Sequence, residues 1–510
     1  MPRESQSVFD EILGRDNGGH RLAVLGSPSL TFADLLRQAE SLAKTLHAIG
    51  AGDRSLVGVC VSMSSEYLVS LLGLYMVSAV PVLLNPRATA HENSYVCRDS
   101  GLSFFITDQE KANLPDLVKT GGQLQWGKLC LIGPVSESPQ DLASNDCMII
   151  YTSGSTGRPK GIVLTREGIS SNIRAVSSYL ALSSLDRTIV FTPPSFAYAV
   201  SQALTHLWSG AAILPWALGL RYPGALLSAI QHHRITGVAA NPTSFRIIAA
   251  HGAPAGDLNS VRYVMTGGQP LDSQVALEIS RFFPAARIVN MYGCTENSPR
   301  VAFYWLPPSP TARDTPWPVG HAVTGTRIKV VDESGDTMVS CLESTGEILV
   351  QGASRMRAYW RDADLTRAKI VDGWLHTGDL GFIDSEGALH LTGRLDNLFS
   401  VGHVKVSPEE VESILETVPG VREAGVVPLS DDFLGNVPVA LAVVEGPEGD
   451  TLVRARRECD LKLSTAKRPR AIFSAPSLPR THYGKLDRVK LRSLAESMTL
   501  PKSVPPIAKT

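Results

Sequence analysis

The chain has 510 residues, of which 44% are hydrophobic and 19% are charged. A chain of this length exceeds a single hydrophobic core and predicts at least two domains. Its 48 Lys and Arg residues nearly balance its 49 Asp and Glu residues, leaving a net charge of -1. This balance provides no overall field to attract nucleic acid or an anionic membrane, so we expect neither as a partner and favour a small molecule.

The cysteines and the N-terminus indicate the compartment. Seven cysteines are scattered without a CxxC pair, which predicts reduced thiols and a cytoplasmic location. Acidic residues stand near the N-terminus, where a signal peptide needs a basic start and an apolar run. The uncharged segment 67–84 is long enough to suggest a membrane span, but serines and a proline interrupt it. We predict a buried helix followed by a strand there.

Helical and strand-like segments alternate from Phe32 to Gly293. The helical segments are 34–49, 64–77, 223–234 and 273–283, and the strand-like segments are 56–61, 80–84, 237–240 and 288–291. This alternation is typical of parallel sheets that are covered by helices. We therefore predict an α/β fold with doubly wound sheets for the large N-terminal domain.

The pattern changes near Gly320 to short β-rich runs, such as 326–331 and 346–350, which predict a small β-barrel-like subdomain. Beyond Asp396 lies a unit of suitable size for an α+β domain, beginning with a helix at 408–417. The last ten residues are rich in Lys and Pro and are predicted to be disordered. The predicted division is an N-terminal domain, 1–395, a C-terminal domain, 396–500, and a tail, 501–510.

A loop rich in glycine and hydroxyl residues follows the strand predicted at 147–151, and a helix is predicted from Gly168 onwards. Glycines let a phosphate approach the backbone N–H groups, hydroxyls donate hydrogen bonds, and a lysine adds charge. The spacing is not that of a Walker A loop, because Arg158 and Pro159 separate Gly157 from the lysine. The predicted phosphate contacts are Thr152, Ser153, Gly154, Ser155, Thr156, Gly157 and Lys160.

Further motifs follow along the chain. They are Thr266-Gly-Gly-Gln-Pro270, Asn290-Met-Tyr-Gly-Cys-Thr-Glu296, Gly346-Glu-Ile-Leu-Val-Gln-Gly352, Asp372-Gly-Trp-Leu-His-Thr-Gly-Asp379, Gly393-Arg-Leu-Asp396 and Pro479-Arg-Thr-His-Tyr-Gly-Lys485. With the loop, they resemble in order and spacing the adenylate-forming superfamily. That superfamily includes acyl- and aryl-CoA synthetases, adenylation domains of nonribosomal peptide synthetases and firefly luciferase. The resemblance spans nearly the whole chain.

The resemblance implies activation of a carboxylic acid by ATP to an acyl-AMP, with release of pyrophosphate, and then transfer to a thiol. Charge that develops on the phosphate oxygens must meet positioned cations. By resemblance, Glu296 is the Mg²⁺ carboxylate, Thr295 a phosphate-contacting hydroxyl, and Lys485 a mobile lysine that bridges carboxylate and α-phosphate. We expect these three residues to be catalytic, and ATP, Mg²⁺ and CoA to be the cofactors.

Other motif residues suit recognition of the nucleoside. Tyr292 offers a face for adenine, Asp379 a carboxylate for the ribose hydroxyls, and Arg394 assists at the ribose or phosphate. Taken singly, Tyr292 is as consistent with a core aromatic and Asp379 with a turn residue, but the ordered set favours function. By resemblance, the hinge of the mobile C-terminal domain is Asp396. The remaining predicted nucleotide contacts are Gly268, Gln269, Pro270, Asn290 and Met291.

The segment 191–202 follows the loop and contains no acidic residue. Since an unpaired buried ammonium is unfavourable, an α-amino acid substrate is disfavoured. An apolar slot with a few polar groups suits an aryl, cyclic or medium-sized acyl acid. Alternatively, the aromatic residues of this segment simply pack the core. Cys294 is expected to be a filler that lines the acyl pocket rather than a nucleophile. The predicted lining is Phe196, Ala197, Tyr198, Asn241, Thr266, Gly267, Gly293 and Cys294.

The segment 399–412 bears on which thiol accepts the acyl group, because it resembles the CoA-ligase pattern. By resemblance, Gly402 and His403 lie at the tunnel for the thiol. His403 stands where many ligases carry a second glycine, and Ser400 where others carry lysine or asparagine. The predicted acceptor is therefore CoA; the alternatives are the phosphopantetheine of an acyl carrier protein, or adenylation without transfer. A catalytically silent nucleotide-binding scaffold is a remote alternative, because the motif carboxylates and Lys485 are all present.

Overall fold

The computed structural model describes residues 7–14, 21–110, 113–136, 141–153, 159–252, 256–313, 315–332, 334–337, 345–401, 404–431, 434–481 and 485–498. Within these ranges the chain forms fourteen α-helices and five β-sheets. Three sheets precede residue 395 and two follow it. The fold is mixed α/β, with a large N-terminal and a smaller C-terminal domain, as the sequence predicts. The predicted tail, 501–510, lies outside the described residues.

The largest sheet among the described residues has nine strands. In spatial order they are β16 (His321–Ala322), β15 (Arg300–Trp305), β14 (Arg287–Gly293), β13 (Tyr263–Gly267), β12 (Gly237–Ala240), β10 (Arg187–Val190), β11 (Ala212–Pro215), β1 (Leu22–Val24) and β2 (Leu30–Thr31). The strands from β14 to β1 run parallel, and the outer pairs are antiparallel. The carboxyl ends of the parallel strands meet at one edge, where such sheets bind ligands.

A second sheet has eight described strands. In spatial order they are β19 (Ala358–Tyr359), β9 (Pro159–Thr165), β8 (Asp146–Ser153), β4 (Val80–Leu83), β3 (Leu56–Cys60), β5 (Phe104–Thr107), β7 (Leu129–Ile132) and β6 (Gln123–Trp126). The central strands β8, β4, β3 and β5 are parallel, and β3 and β4 are buried along their whole length. Strands covered on both faces become continuous apolar runs of this kind.

The remaining sheets are smaller. The third is antiparallel and contains β17 (Thr326–Val331), β18 (Gly346–Gly352), β20 (Ile370–Val371), β21 (Trp374–Ile383) and β22 (Leu389–Arg394). It forms the predicted β-rich subdomain. The C-terminal sheets contain β23 (Phe399–Val401) with β24 (Val404–Val406), and β25 (Val421–Asp431), β26 (Gly435–Val444) and β27 (Ala471–Ser474). The predicted boundary at Asp396 falls in the 3₁₀ turn Leu395–Asn397, between β22 and β23.

Sequence signals mark where many helices begin. Thr31 and Asp34 form a capping box at the start of α2, and proline occupies the first turn of α8, α9 and α12. The helices are α1 (Val8–Leu13), α2 (Phe32–Ala48), α3 (Ser65–Met76), α4 (Ala90–Ser100), α5 (Asp116–Lys119), α6 (Arg166–Leu180), α7 (Ala197–Trp208), α8 (Pro223–His232), α9 (Pro242–Ala250), α10 (Ser273–Phe282), α11 (Ala363–Lys369), α12 (Pro408–Glu416), α13 (Glu448–Lys462) and α14 (Arg488–Glu496).

The segment 67–84 forms most of α3 and all of β4, as predicted. Among the described residues, we find no helix with the length and hydropathy that crossing a bilayer requires. The predicted strands at 237–240 and 326–331 coincide with β12 and β17, and the predicted helix at 408–417 ends one residue earlier, at Glu416.

One local prediction needs correction. The phosphate loop is not a connection from strand to helix, because β9 lies between the loop and α6 and pairs antiparallel with β8. The loop therefore joins two strands of a hairpin. The buried run Ile162-Val-Leu164 within β9 is the signal that the sequence interpretation passed over.

A charged network fixes the fold of the C-terminal domain. Arg488, at the start of α14, donates hydrogen bonds to both carboxylate oxygens of Glu412 on α12, at 2.7 and 3.1 Å. It also donates to Glu409 at 2.8 Å and to the carbonyl oxygen of Val426 at 2.9 Å. Glu412 in turn accepts the Val426 N–H at 2.7 Å. One guanidinium thus joins α12, β25 and α14.

We predict that Arg488→Met destabilises the C-terminal domain by about 3 kcal/mol, because it leaves the mostly buried carboxylate of Glu412 without its cation. The matched control is Arg492→Met on the same helix, where the exposed pair with Glu496 contributes about 1 kcal/mol or less. Hydrogen exchange of the β25 amides measures both changes. Equal effects of the two substitutions would contradict the assigned role.

A second charged cluster lies between the two domains. Arg246 on α9 is 2.5 Å from the carboxylate of Asp272 and 3.9 Å from that of Glu416 on α12. Glu416 also accepts the N–H of Ala424 at 3.0 Å. Burial raises the pKa of Glu416 to about 7, and the charge of Arg246 only partly opposes this rise. The nearby carboxylates of Asp272 and Glu412 raise it further.

This shift predicts a pH dependence of stability. Between the ordinary pKa of 4.5 and about 7, the folded protein holds a proton on Glu416 that the unfolded chain has lost. Stability therefore falls as pH rises through this window. We expect Glu416→Gln to remove part of that fall in unfolding experiments from pH 5 to pH 8. Glu410→Gln, on the same helix, should keep the wild-type profile, and identical profiles for all three proteins would refute the assignment.

Candidate functional site

The predicted nucleoside residues meet at Asp379. Pairing of β21 with β22 sets Asp379 opposite Arg394, whose Nη1 is 3.4 Å from Asp379 Oδ1. Tyr292, on β14 of the nine-stranded sheet, donates its hydroxyl to Asp379 Oδ2 at 2.6 Å. Three residues from distant motifs are therefore in contact across two sheets.

Burial and charge oppose each other at this carboxylate. Burial raises the pKa of Asp379, and the positive charge of Arg394 and the hydrogen bond from Tyr292 act against that rise. Glu296 adds negative charge, and Lys485 adds positive charge from the C-terminal domain. The site thus combines two carboxylates with two cations, which suits a nucleotide with its metal ion.

Lys485 reaches this neighbourhood from a turn before α14. Its carbonyl oxygen accepts the N–H of Thr481 at 2.8 Å, and Arg480 and Leu486 form a bridge beside it. The side chain of Lys485 is exposed, while its charge acts on Asp379. The predicted catalytic lysine therefore contributes positive charge at the predicted ribose carboxylate in this arrangement of the two domains.

The predicted metal carboxylate lies in a tight turn between β14 and β15. Gly293 begins the turn, where a Cβ would lie 1.9 Å from the carbonyl oxygen of Pro299, so no other residue fits without a backbone shift. Thr295 and Glu296 form a short 3₁₀ helix. Glu296 Oε1 accepts the hydroxyl of Tyr359 at 3.0 Å.

Two residues that support this turn escaped the sequence interpretation. Tyr359 belongs to β19, at the edge of the eight-stranded sheet, and no local pattern marks it. Asn172 on α6 is fully buried, accepts the N–H of Arg300 at 3.3 Å, and donates to the carbonyl oxygens of Arg300 and Asn297 at 2.9 and 3.2 Å. A polar residue on the buried face of a helix is the one signal that could have indicated Asn172.

The phosphate loop is described at its two ends. Thr152 and Lys160 are direct partners in the β8–β9 hairpin, so they lie side by side where the two strands enter the loop. The backbone of Ser153 continues β8. The predictions for Gly154, Ser155, Thr156 and Gly157 lie outside the described residues, as do those for Gly402 and His403.

Several predicted nucleotide contacts bind other parts of the protein. Asn290 donates to the carbonyl oxygens of Trp317 and Pro318, at 3.2 and 2.9 Å. The sulfur of Met291 accepts the hydroxyl of Tyr179. Gln269 accepts the hydroxyl of Thr243 at 2.8 Å. Gly268 and Pro270 are exposed. The nucleotide roles of these five residues stay predictions.

The predicted acyl-pocket residues lie around the carboxyl ends of β12, β13 and β14. Tyr198, in the first turn of α7, donates to the carbonyl oxygen of Met265 at 3.4 Å. Asn241 caps α9 by accepting the N–H of Ser244 at 2.8 Å. Thr266 is fully buried, and its hydroxyl has no hydrogen-bond partner within the described part of the chain. Phe196 and Ala197 begin α7, and Gly267 ends β13.

Cys294 stands between the pocket and the charged cluster. Burial raises the pKa of its thiol well above the ordinary value, and the negative charges of Glu296 and Asp379 raise it further. The thiol is therefore kept protonated, which opposes a role as a nucleophile. Cys294 is suited to line the pocket instead.

The donor set fits ATP with Mg²⁺. Mg²⁺ is commonly held by one or two carboxylates together with phosphate oxygens, and Glu296 supplies a carboxylate beside the cluster. Lys160 and Lys485 are the cations predicted to contact phosphate groups. When bound, the ion neutralises charge on the phosphate oxygens.

Known proteins resemble this chain over almost its full length. Feruloyl-CoA synthase of Amycolatopsis sp is 31% identical, covering 92% of this chain and 94% of its own. The 2-succinylbenzoate–CoA ligase of Bacillus cytotoxicus is 30% identical over similar shares, 92% and 94%. The solved structure of o-succinylbenzoate CoA synthetase from Bacillus subtilis, in complex with an acyl-adenylate, has the same fold. Its TM-score is 0.78 at 24% identity, covering 96% of this chain and 98% of that one.

Two family models match the sequence in the order of the two domains. The model of the AMP-binding enzyme matches residues 14–360, and that of the AMP-binding enzyme C-terminal domain matches residues 410–485, ending at the predicted catalytic lysine. Together these matches cover most of the chain and include Tyr292, Glu296 and Lys485, whereas Asp379 and Arg394 lie in the segment between them. The protein belongs to the family of AMP-binding enzymes.

Proposed function

We propose that this protein is an AMP-forming acid–thiol ligase. It activates a carboxylic acid without an α-amino group by reaction with ATP, releases pyrophosphate, and transfers the acyl group from acyl-AMP to CoA. The observation that carries this proposal is the convergence of Tyr292, Asp379, Arg394 and Lys485 beside Glu296. Relatives named as aryl-acid CoA ligases support the same reaction.

The residues divide the adenylation chemistry among them. Asp379 accepts hydrogen bonds from the ribose hydroxyls, and Tyr292 fixes the orientation of that carboxylate through its own hydroxyl. Lys485 and Lys160 meet the charge that develops as the substrate carboxylate attacks the α-phosphorus in line. Glu296 would hold Mg²⁺, and the hydroxyl of Tyr359 orients the Glu296 carboxylate by donating a hydrogen bond to it. Fixed groups of this kind stabilise the transition state without reorganisation.

The acid is aryl, cyclic or a medium-sized acyl acid. The segment 191–202 offers no carboxylate to pair with an ammonium group, and the wall around Tyr198 combines aromatic and apolar side chains. An aromatic or cyclic acid can bury its apolar surface against such a wall. Relatives whose names contain feruloyl and succinylbenzoate fit this size class.

The C-terminal domain rotates about Asp396 between the two half-reactions. Near this turn, Ser407 of the C-terminal domain donates across the proposed boundary to the carbonyl oxygen of Thr392 at 3.1 Å, and Asn397 donates to Glu409. CoA is the proposed acceptor, and a carrier protein is the alternative. The cytoplasm is the proposed location, since the six described cysteines are free thiols.

Acid-dependent exchange of pyrophosphate into ATP is the direct test of the proposed function. We expect exchange with at least one member of a panel of aryl, cyclic and medium-chain acids, and none with α-amino acids. CoA and a phosphopantetheinylated carrier protein are then compared as acceptors. Absence of exchange over the whole panel, with protein of native circular dichroism, would contradict the proposal.

Lys485→Ala separates the two half-reactions. We expect a loss of roughly a hundredfold to a thousandfold in acyl-adenylate formation, because one electrostatic contact to the transition state is removed. Transfer to CoA from a chemically supplied acyl-adenylate should continue. Lys490→Ala is the matched control, since Lys490 is exposed on α14 and pairs with Asp487 at 3.2 Å. An equal fall of both half-reactions in folded protein would show that the role is wrong.

A further inference from the structure

Arg300 is a buried cation beside the predicted acyl pocket. It is the first residue of β15, it pairs with Gly293 of β14, and only 4% of its surface is exposed. Its Nε has no hydrogen-bond partner among the described residues. Across the same part of the chain, no carboxylate oxygen lies within 4.0 Å of its guanidinium.

Aromatic side chains surround this guanidinium. Its central carbon lies 4.2 Å from the ring centre of Tyr198, a predicted pocket residue. Burial raises the pKa of both Tyr198 and Tyr179, and the charge of Arg300 acts against the rise in each case. Tyr179 also stacks on Phe303, with ring centres 4.2 Å apart. Arg300 therefore faces the aromatic wall and both tyrosine hydroxyls.

The backbone of Arg300 is held firmly. Asn172 accepts its N–H and donates to its carbonyl oxygen, and Asn297 donates to the same carbonyl at 2.9 Å. The guanidinium thus extends from the turn that carries Glu296. Arg300 is thus a fixed cation at the wall of the predicted pocket, and it pairs with Gly293, where the turn that carries Glu296 begins. A cation held in this way can recognise a ligand.

Three other arginines with limited exposure are paired with carboxylates. Arg488 binds Glu412, Arg246 binds Asp272, and Arg357 binds the buried Asp146 at 2.6 Å. A buried charge is unfavourable unless a group of opposite charge or a set of hydrogen bonds compensates it. For Arg300 the described protein supplies the ring face of Tyr198 and a side-chain hydrogen bond to Tyr179, which compensate a cation only in part.

We propose that Arg300 binds a second anionic group of the acid substrate, at the end remote from the carboxyl group that is activated. The substrate is thus a dicarboxylic acid built on an aryl or cyclic frame. This inference rests on the proposed function and narrows its substrate class. The guanidinium binds a carboxylate in a bidentate manner, while Tyr198 and Phe303 contact the frame.

The test uses binding, so that it does not depend on turnover. Sulfamoyl analogues of acyl-adenylates are prepared from benzoic and cinnamic acids. A second carboxylate is placed at the ortho, meta or para position, or on a side chain of two or three carbons. For at least one position, we expect the dicarboxylic analogue to bind the wild-type protein about tenfold to a hundredfold more tightly than its monocarboxylic counterpart. Calorimetry measures each Kd.

Three variants assign that preference to the side chain. In Arg300→Met the preference for the second carboxylate should disappear or reverse, and in Arg300→Lys part of it should remain. Arg287→Met is the matched control, because Arg287 stacks on Trp305 at 4.3 Å on the same strand pair but is exposed. Its ligand preference should equal that of the wild type.

The outcomes are distinct. No dicarboxylic preference at any position in the wild type, or an unchanged preference in Arg300→Met, overturns the anionic subsite. Analogues that carry a hydroxyl group in place of the second carboxylate are compared as well. If these bind more tightly than the dicarboxylic analogues, the anionic subsite is overturned, because Arg300 then binds a neutral hydrogen-bond acceptor. Failure of every analogue to bind, including sulfamoyl adenosine without an acyl group, would count against the nucleotide site and hence the proposed function. The wild-type comparison remains decisive if Arg300→Met fails to fold.

Discussion

The rest of the site depends on one buried carboxylate, that of Asp379. An ionised group in this environment is unfavourable unless donors and cations compensate it. The compensation comes from Tyr292 on the nine-stranded sheet, from Arg394 on the adjacent strand, and from Lys485 in the C-terminal domain. One anion thus links the nine-stranded sheet, the sheet of β21 and β22, and the C-terminal domain. Binding of a nucleotide to this carboxylate would therefore depend on the positions of all three.

Charged contacts are distributed unevenly in the C-terminal domain. Inside it, Arg488 makes hydrogen bonds of 2.7 to 3.1 Å to two carboxylates and a carbonyl oxygen. Between the two domains, Arg246 on α9 lies 3.9 Å from the carboxylate of Glu416 on α12. Short contacts hold the domain together as one unit, whereas a long ion pair is easily exchanged for water. This difference suits a domain that moves as a rigid body about a turn such as Leu395–Asn397.

Much of the fold and of the candidate site could be predicted from the sequence, because hydrophobic periodicity and motif spacing are local properties of the chain. Strands such as β12 and β17 coincide with the predicted bounds, and Tyr292 and Asp379 meet as the motif order implies. Contacts between distant segments that carry no motif leave no such trace. Tyr359 reaches Glu296 only because a two-residue strand pairs with β9. The hairpin partner of the phosphate loop was missed because its apolar run, Ile162-Val-Leu164, is short and lies between the loop and the helix predicted from Gly168, where no element was predicted.

Two features of the predicted pocket wall favour the same class of acid: it lacks a carboxylate, and it carries a buried cation. The segment 191–202 has no carboxylate that could neutralise an ammonium group, and Arg300 places a cation beside Tyr198 instead. A substrate with an ammonium group would find no carboxylate to pair with and would lie beside a like charge. A neutral substrate would leave the guanidinium compensated only by the ring of Tyr198 and the hydrogen bond to Tyr179. An anionic group satisfies the guanidinium and needs no other partner. Selection of the acid therefore follows from the charge that the folded chain leaves unpaired, since shape alone discriminates weakly among apolar rings of similar size.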